Sequence, residues 1–147
     1  MEIGRRGFLG IAAGGLIACS AAERPRRIIV HKSPTCGCCG GWVDHLRASG
    51  FEVAVEETEN LDPVAARLGV PAALRSCHTG EAGGYFVEGH VPAADIRRLL
   101  AERPNALGIA VPGMPIGAPG MERGSVRQPV QTLLAERSGR VSVFAEH

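Results

Sequence analysis

The sequence lacks the features that would assign it to a membrane-spanning or a nucleic-acid-binding class. A membrane-spanning helix needs about 20 apolar residues, and the apolar stretch at residues 11–18 is shorter than that. Its 16 Lys and Arg residues nearly balance 15 Asp and Glu residues, and no basic block is present in the sequence. A chain without a basic patch has no electrostatic footprint for nucleic acid. The sequence also contains no internal repeat.

Cysteine, in contrast, is concentrated at one point of the chain. Cys36, Cys38 and Cys39 fall within four consecutive positions, shortly after the strand-like run 28–30. Pro34 interrupts the strand, and the pattern predicts a helix that starts around the last of these cysteines. At a helix N-terminus, unpaired backbone N–H groups and the helix dipole stabilise thiolate over thiol. The sequence therefore predicts an anionic, sulfur-rich site.

The spacing of these cysteines favours metal binding over simple redox chemistry. Cys36 and Cys39 form a C-x-x-C pair, which is typical of dithiol redox enzymes and of many metal sites. Cys38 is a third thiol that a redox pair does not need, whereas several converging sulfurs suit Cu(I), zinc or iron–sulfur clusters. The alternative is a disulfide staple or a set of inert buried cysteines, and adjacent cysteines suit a strain-free bridge poorly.

Residues 1–22 have the pattern of a twin-arginine export signal. Arg5-Arg6 precedes the weakly apolar stretch and a region of small residues typical of cleavage sites. Two cleavage positions stay open. The run 16–19 resembles a lipoprotein signal-peptidase site that would leave Cys19 as a lipidated first residue, and cleavage after Ala22 is the alternative. We therefore expect periplasmic residence, with membrane contact only through a lipid anchor on Cys19.

After removal of this signal, the chain keeps four cysteines in an oxidising compartment, the fourth being Cys77. Thiols that stay free there usually need a metal or a reductant. About 125 residues remain, which is enough for one hydrophobic core but not for two. We therefore expect a single metal-binding domain over residues 27–147.

The hydrophobic pattern predicts a β-α-β-α-β-β-α order over residues 27–103, which is a mixed α/β fold. Trp42, Val43 and Leu46 recur at helical spacing after the cysteines, and Gly50 closes that helix. The other predicted elements are a strand at 51–55, a helix at 62–69, strands at 72–78 and 85–91 separated by a turn at 79–84, and a helix opened by Pro92 with Ile96, Leu99 and Leu100 on one face.

This order, with a cysteine motif after the first strand and Val70-Pro71 before the third, resembles the thioredoxin and glutaredoxin fold. The resemblance implies that the Pro71 peptide bond is cis and that Pro71 lies against the cysteine motif. It also implies that Cys77 lies on the third strand, within reach of the other cysteines. The alternative for Cys77 is a small buried core residue, as free cysteines often are.

Residues 104–147 leave the thioredoxin pattern and form a C-terminal extension. Its segment 110–122 is too rich in proline and glycine for a helix or strand, yet it contains Met114 and Met121. Two interpretations stay open: a structured loop that presents thioethers to a metal, or a connector whose methionines fill gaps. A closing β-hairpin is predicted at 130–134 and 141–144.

Three histidines are candidate metal ligands because of where they fall. His31 ends the first strand beside the cysteine turn, His78 adjoins the fourth cysteine, and His90 precedes a helix start. Imidazole is a common ligand and also a common surface or packing group, so both interpretations stay open for each. His45 and His147 are expected to be solvated.

Several segments together carry a closer resemblance: the CGCC run, Ser76–Thr79, Glu88–Ala93, Val111–Pro115 and Gly120–Glu122. In this order they resemble the CopG-like family of periplasmic copper-resistance proteins over nearly the whole mature chain. The resemblance implies a thioredoxin-like fold, several copper ions bridged by thiolates, and a role in copper handling. That role could include redox cycling between Cu(I) and Cu(II). The implied ligands are Cys36, Cys38, Cys39 and Cys77, with Met114, Met121 and His90 as further candidates.

The implied partners are copper-handling proteins of the cell envelope. The combination of twin-arginine signal and lipidation site lies outside the shared pattern and favours membrane tethering.

The chemistry of the ligands agrees with copper. Four thiolates carry four negative charges, which several Cu(I) ions neutralise better than one. Zinc needs four tetrahedral ligands, which the adjacent Cys38 and Cys39 can hardly both supply to one ion. The competing interpretation is a thiol–disulfide oxidoreductase with Cys36 as attacking thiolate and Cys39 as resolving thiol. An iron–sulfur carrier is a weaker third interpretation, because extracytoplasmic delivery of such clusters is uncommon.

Overall fold

Residues 26–147 are described by a computed structural model, in which seven strands form one mixed sheet. The predicted α/β class is confirmed. The helices are α1 (Gly37–Ala48), α2 (Asp62–Leu68) and α3 (Ala93–Glu102), and a 3₁₀ turn covers Ala72–Leu74. The strands are β1 (Arg27–Lys32), β2 (Glu52–Glu57), β3 (His78–Ala82), β4 (Tyr85–Glu88), β5 (Ala106–Ala110), β6 (Gln131–Glu136) and β7 (Val141–Glu146).

The predicted export signal, including Arg5-Arg6 and Cys19, lies outside the described residues. Between residues 26 and 147, no helix has the length and hydrophobicity that crossing a bilayer requires.

The strands follow the order β2-β1-β3-β4-β5-β6-β7 across the sheet. β1 pairs in parallel with β2, and β4 pairs in parallel with β5. The other neighbouring strands are antiparallel. The predicted succession of strands and helices is confirmed from β1 through α3. The predicted hairpin is also present as β6 and β7.

β5 is a strand that the sequence pattern did not predict. It pairs with β4 on one side and with β6 on the other, so it joins the terminal hairpin to the rest of the sheet. Gly108 in its middle lies opposite Phe86, where a Cβ atom would come within 2.2 Å of the Phe86 carbonyl oxygen. A glycine in a strand weakens the sequence signal, and here it permits the close approach of two backbones.

Two apolar clusters lie on opposite faces of the sheet. In β4, Val87 belongs to the larger cluster and Phe86 to the smaller, as the alternation of side chains along a strand requires. The larger cluster includes Trp42 of α1 and Ile96 of α3, both fully buried. The smaller one includes Ala65 of α2. Burial of its apolar face therefore fixes α1 against the sheet, with its N-terminus just beyond the end of β1.

The predicted strand at 72–78 is wrong. Its first part is the 3₁₀ turn, in which the Leu74 N–H donates to the Pro71 carbonyl oxygen over 2.9 Å. β3 starts only at His78, because residues 78–82 are the ones that pair with β1. The prediction from the sequence therefore placed the start of the strand too early.

The connection between β3 and β4 is also shorter than the predicted turn at 79–84. Gly83 and Gly84 alone join the two strands, and both have positive φ angles. β4 ends at Glu88 rather than at residue 91, because Gly89 adopts a φ of +74° and turns the chain away.

Pro71 does not have the expected role. All peptide bonds of residues 26–147 are trans, so the cis geometry implied for Pro71 is wrong. Pro71 precedes the 3₁₀ turn instead. Cys77 lies directly before β3 rather than within a strand, and its carbonyl oxygen lies 3.5 Å from the Cys39 sulfur. The segment that faces the cysteine motif is therefore the start of β3.

Candidate metal centre

The first three cysteines lie at the turn from β1 into α1. Cys36 is the N-cap of α1 and has an extended backbone, with its N–H donating to the Ser33 carbonyl oxygen. Cys38 and Cys39 lie in the first turn of the helix, where backbone N–H groups lack helical partners. Cys39 is buried, whereas Cys36 and Cys38 are partly exposed. The predicted placement at a helix N-terminus is confirmed.

Cys77 completes a group of four sulfurs. The Sγ atoms of Cys36, Cys38, Cys39 and Cys77 all lie within 4.8 Å of one another. Cys36 and Cys39 are joined in a disulfide, and the Cys38 sulfur lies 3.5 Å from that of Cys36. Cys38 and Cys77 are free thiols. We refer to these four residues as the sulfur group. Residues 38 positions apart in sequence thus form one site, which in its reduced form offers four thiolates.

Cys77 also belongs to a second group, formed with His78 and His90. The Cys77 sulfur lies 3.3 Å from Nδ1 of His78 and 3.6 Å from Nε2 of His90. The three donor atoms all lie within 4.8 Å of one another. Both imidazoles are fully buried. We refer to these three residues as the Cys-His-His group, which shares only Cys77 with the sulfur group.

Backbone carbonyls fix both imidazoles of the Cys-His-His group. Nε2 of His78 lies 2.8 Å from the Gly89 oxygen, and Nδ1 of His90 lies 2.7 Å from the Pro119 oxygen. A carbonyl oxygen only accepts, so each of these nitrogens carries the proton. The remaining nitrogen of each ring therefore directs its lone pair towards Cys77. Histidines that bind metals characteristically donate their other ring N–H to a carbonyl oxygen or a carboxylate in this way.

Burial keeps both imidazoles neutral. Desolvation, followed by the neighbouring His90, lowers the pKa of His78 to about 3. Desolvation also lowers the pKa of His90, against the effect of its hydrogen bond to Pro119. Burial and the nearby Cys38 raise the pKa of the Cys77 thiol to about 11. At neutral pH the metal-free group is thus uncharged, and a metal ion must displace the Cys77 proton.

Trp42 packs against His78 of the Cys-His-His group. Its indole stacks on the His78 imidazole, and its Nε1–H donates to the Val91 carbonyl oxygen over 2.8 Å. Because Trp42 lies in α1, the helix that carries the cysteines also packs against a histidine of the second group. Packing of α1 in the hydrophobic core therefore positions both the sulfur group and the Cys-His-His group.

Glu88 is a supporting residue whose role the sequence pattern did not indicate. Its carboxylate accepts hydrogen bonds from the Ser76 N–H (2.7 Å) and the Thr79 hydroxyl (2.8 Å). Only 1% of Glu88 is exposed, and this burial raises its pKa. These bonds bracket Cys77 and hold the segment that carries it. The burial of a glutamate at the end of a strand gives no signal in the sequence.

The proline- and glycine-rich loop packs against the start of α1. A Cβ atom at Gly120 would lie 2.6 Å from the backbone nitrogen of Trp42, and Gly120 has a φ of +83°. The neighbouring Pro119 supplies the carbonyl that orients His90. Met121 is half-buried against the main core, and Met114 is 48% exposed. The segment is thus a structured loop, while thioether coordination by Met114 and Met121 stays a prediction.

The remaining histidines lie outside the centre. His31 is buried between two carboxylates, with Nε2 2.7 Å from Glu81 and Nδ1 3.2 Å from Glu56, so both of its nitrogens are engaged. His147 contacts Asp95 over 2.9 Å. The expectation that His45 is solvated is wrong: it is half-buried, and its Nε2 accepts a hydrogen bond from the Ala93 N–H.

Known proteins resemble the chain at the level of sequence and structure. The family described as "Protein of unknown function, DUF411" matches residues 74–121, which include Cys77, both histidines of the second group and both loop methionines. No curated protein matches the chain. Two solved structures of copper resistance protein CopG, form 2 and form 1, are each 50% identical in sequence, with TM-scores of 0.80 and 0.79. Each comparison covers 84% of this chain and 98% of the solved one. The chain therefore belongs to the family of copper resistance protein CopG.

Proposed function

We propose that this protein binds several Cu(I) ions in a thiolate-bridged cluster and serves copper resistance in the cell envelope. The convergence of four sulfurs within 4.8 Å of one another is the observation that carries the proposal. The name of its solved relatives, copper resistance protein, supports copper as the cargo.

The charge of the reduced sulfur group favours several monovalent ions. Four thiolates bring four negative charges into a partly buried site, and no single Cu(I) ion neutralises them. Thiolates are soft ligands that suit Cu(I), and a bridging sulfur serves two ions at once. Sulfurs this close together therefore favour a cluster over isolated sites.

The cluster has further donors close by. The free nitrogens of His78 and His90 point at Cys77, so either imidazole extends the ligand set beyond sulfur. Met114 and Met121 lie on the loop that covers the start of α1, and their thioethers would add soft, uncharged ligands.

A thioredoxin-like fold and export to the periplasm complete the proposal. The β2-β1-β3-β4 strand order, with a C-x-x-C motif at the N-terminus of α1, supports that fold. The pattern of residues 1–22 supports export by the twin-arginine route, with Cys19 as the residue for a lipid anchor. Copper-handling proteins of the envelope are the expected partners. Absence of radioactive fatty acid from Cys19 would refute the anchor.

Copper stoichiometry tests the main proposal. The full chain is reduced, loaded anaerobically with Cu(I) and dialysed against a strong Cu(I) chelator. We expect several retained coppers per chain and a clear loss in Cys36→Ser. Cys19→Ser is the matched control, since it removes a cysteine outside the sulfur group and should retain the full number. Equal retention in both variants would refute the site assignment.

The Cys36–Cys39 disulfide also favours a second candidate function, a thiol–disulfide oxidoreductase. Cys36 is the N-cap of α1 and is partly exposed, as an attacking thiolate must be. Cys38, 3.5 Å from the Cys36 sulfur, argues against this function because it would intercept the exchange. Reduction of insulin by the metal-free protein would favour the oxidoreductase. Cycling of bound copper between Cu(I) and Cu(II) would instead favour a redox-active copper protein.

A further inference from the structure

We infer that the disulfide form of this protein is itself a metal-binding state, which holds one divalent ion of the zinc class at Cys77, His78 and His90. This inference extends the proposed function to the oxidised state of the same centre. It does not require that the reduced protein binds copper.

The disulfide removes the sulfur group as a cluster site. The sulfurs of Cys36 and Cys39 are bonded to each other, so neither is a thiolate. Two of the four charges that favour several Cu(I) ions are then absent. Of the sulfur group, only Cys38 and Cys77 remain as thiols. The soft, highly charged donor set therefore exists only in the reduced protein.

The Cys-His-His group is untouched by the disulfide. None of its donor atoms belongs to Cys36 or Cys39, and its three donors lie within 4.8 Å of one another while the disulfide is present. Both imidazoles are oriented by the carbonyl oxygens of Gly89 and Pro119, and neither residue is part of the disulfide. The geometry for a single ion is thus already formed in the oxidised state.

The donor set of this group matches a divalent ion. One thiolate and two neutral imidazoles carry a single negative charge, which one divalent ion more than neutralises. Zinc sites with three protein ligands and an open fourth position are common. Cys38 belongs to the sulfur group but does not come within the same distance of both imidazoles, so it is not a ligand in this arrangement. The redox state of Cys36 and Cys39 thereby selects between two kinds of metal site.

Zinc binding by the full chain in its disulfide form tests the inference. The protein is isolated without reductant, the Cys36–Cys39 link is verified by mass spectrometry, and Zn²⁺ is titrated in competition with a chromophoric chelator. We expect one Zn²⁺ per chain. Cys77→Ser should weaken binding by at least about 100-fold, because losing a ligand costs more than losing a group that only hydrogen-bonds to a ligand.

Cys19→Ser is the matched control, because it removes a cysteine that belongs to neither group and leaves the Cys-His-His group complete. It should bind Zn²⁺ like the parent. Should Cys77→Ser fail to fold, alkylation of the parent replaces it: Zn²⁺ should protect Cys77 from iodoacetamide and leave Cys38 reactive.

Absence of zinc binding by the disulfide form would overturn the inference. So would equal loss of zinc binding in Cys19→Ser and Cys77→Ser, or unchanged alkylation of Cys77. Failure here with Cu(I) binding intact in the reduced protein would refute only this inference. Zinc binding by the disulfide form without Cu(I) binding by the reduced form would refute only the proposed function.

Discussion

The indole of Trp42 stacks on the imidazole of His78, with ring centroids 4.3 Å apart and an angle of 27° between the planes. The contact connects α1, which carries three of the cysteines, to the histidine that follows the fourth. It places the single tryptophan of the chain next to the proposed metal centre.

Trp42 should therefore report metal binding through its fluorescence. Loading the reduced protein with Cu(I) should change the emission in proportion to occupancy, because the ligand stacked on the indole becomes metal-bound. Titration at fixed protein concentration checks this, and Cys19→Ser should behave like the parent. Constant emission through saturation would show that His78 stays outside the metal site.

Replacement of Gly120 by alanine should disrupt the packing of the loop on α1. The added methyl group would lie 2.6 Å from the Trp42 nitrogen, and overpacking of this kind costs about 1–3 kcal/mol. Gly113→Ala is the matched control, because Gly113 also has a positive φ but open space around it. Both variants carry the left-handed backbone penalty of about 1–2 kcal/mol. Urea denaturation should show the extra loss only for Gly120→Ala, and equal losses would contradict the close packing.

Glu88→Gln should destabilise the protein although it preserves shape. The carboxylate accepts two hydrogen bonds, whereas an amide would accept one and turn its own N–H groups towards the second donor. A buried group left unsatisfied costs about 1–3 kcal/mol. Urea denaturation measures the loss. Glu52→Gln, at an exposed position of β2, should stay within about 0.5 kcal/mol of the parent.

His45 should contribute a pH-dependent part of the stability. Burial lowers its pKa from 6.5, so the folded state prefers the neutral ring, whose Nε2 accepts the Ala93 N–H at the start of α3. This contribution is present above pH 6.5 and is lost as the pH falls through the lowered pKa. Unfolding of parent and His45→Gln should be compared between pH 7 and pH 5. We expect a smaller decline in the variant, and parallel curves would contradict this role.

Local patterns predicted the parts of the fold whose signals are local. The apolar residues of α1 and the glycine that follows it were correctly interpreted, because a helix buries one face at a fixed spacing and ends in a left-handed glycine. The position of the cysteines at the N-terminus of α1 was predicted from the same helical pattern. The hairpin was predicted because alternation and a turn lie close together in sequence.

Features that depend on distant pairing could not be predicted. β5 is short and contains Gly108, so only its position between β4 and β6 identifies it as a strand. The start of β3 is likewise set by its register with β1. His31 was placed near the cysteines along the chain, but Glu81 of β3 and Glu56 of β2 occupy both of its nitrogens. Proximity in sequence did not reveal these partners.

The role of β5 means that the cysteine motif does not form the proposed metal centre by itself. A chain shortened before residue 104 would keep every cysteine, yet β4 would lose one neighbour and His90 would lose the Pro119 carbonyl that orients it. Grafting the cysteine turn and its first helix onto another scaffold would transfer the sulfurs without the imidazoles or their alignment. Engineering of this centre must therefore carry over the whole sheet.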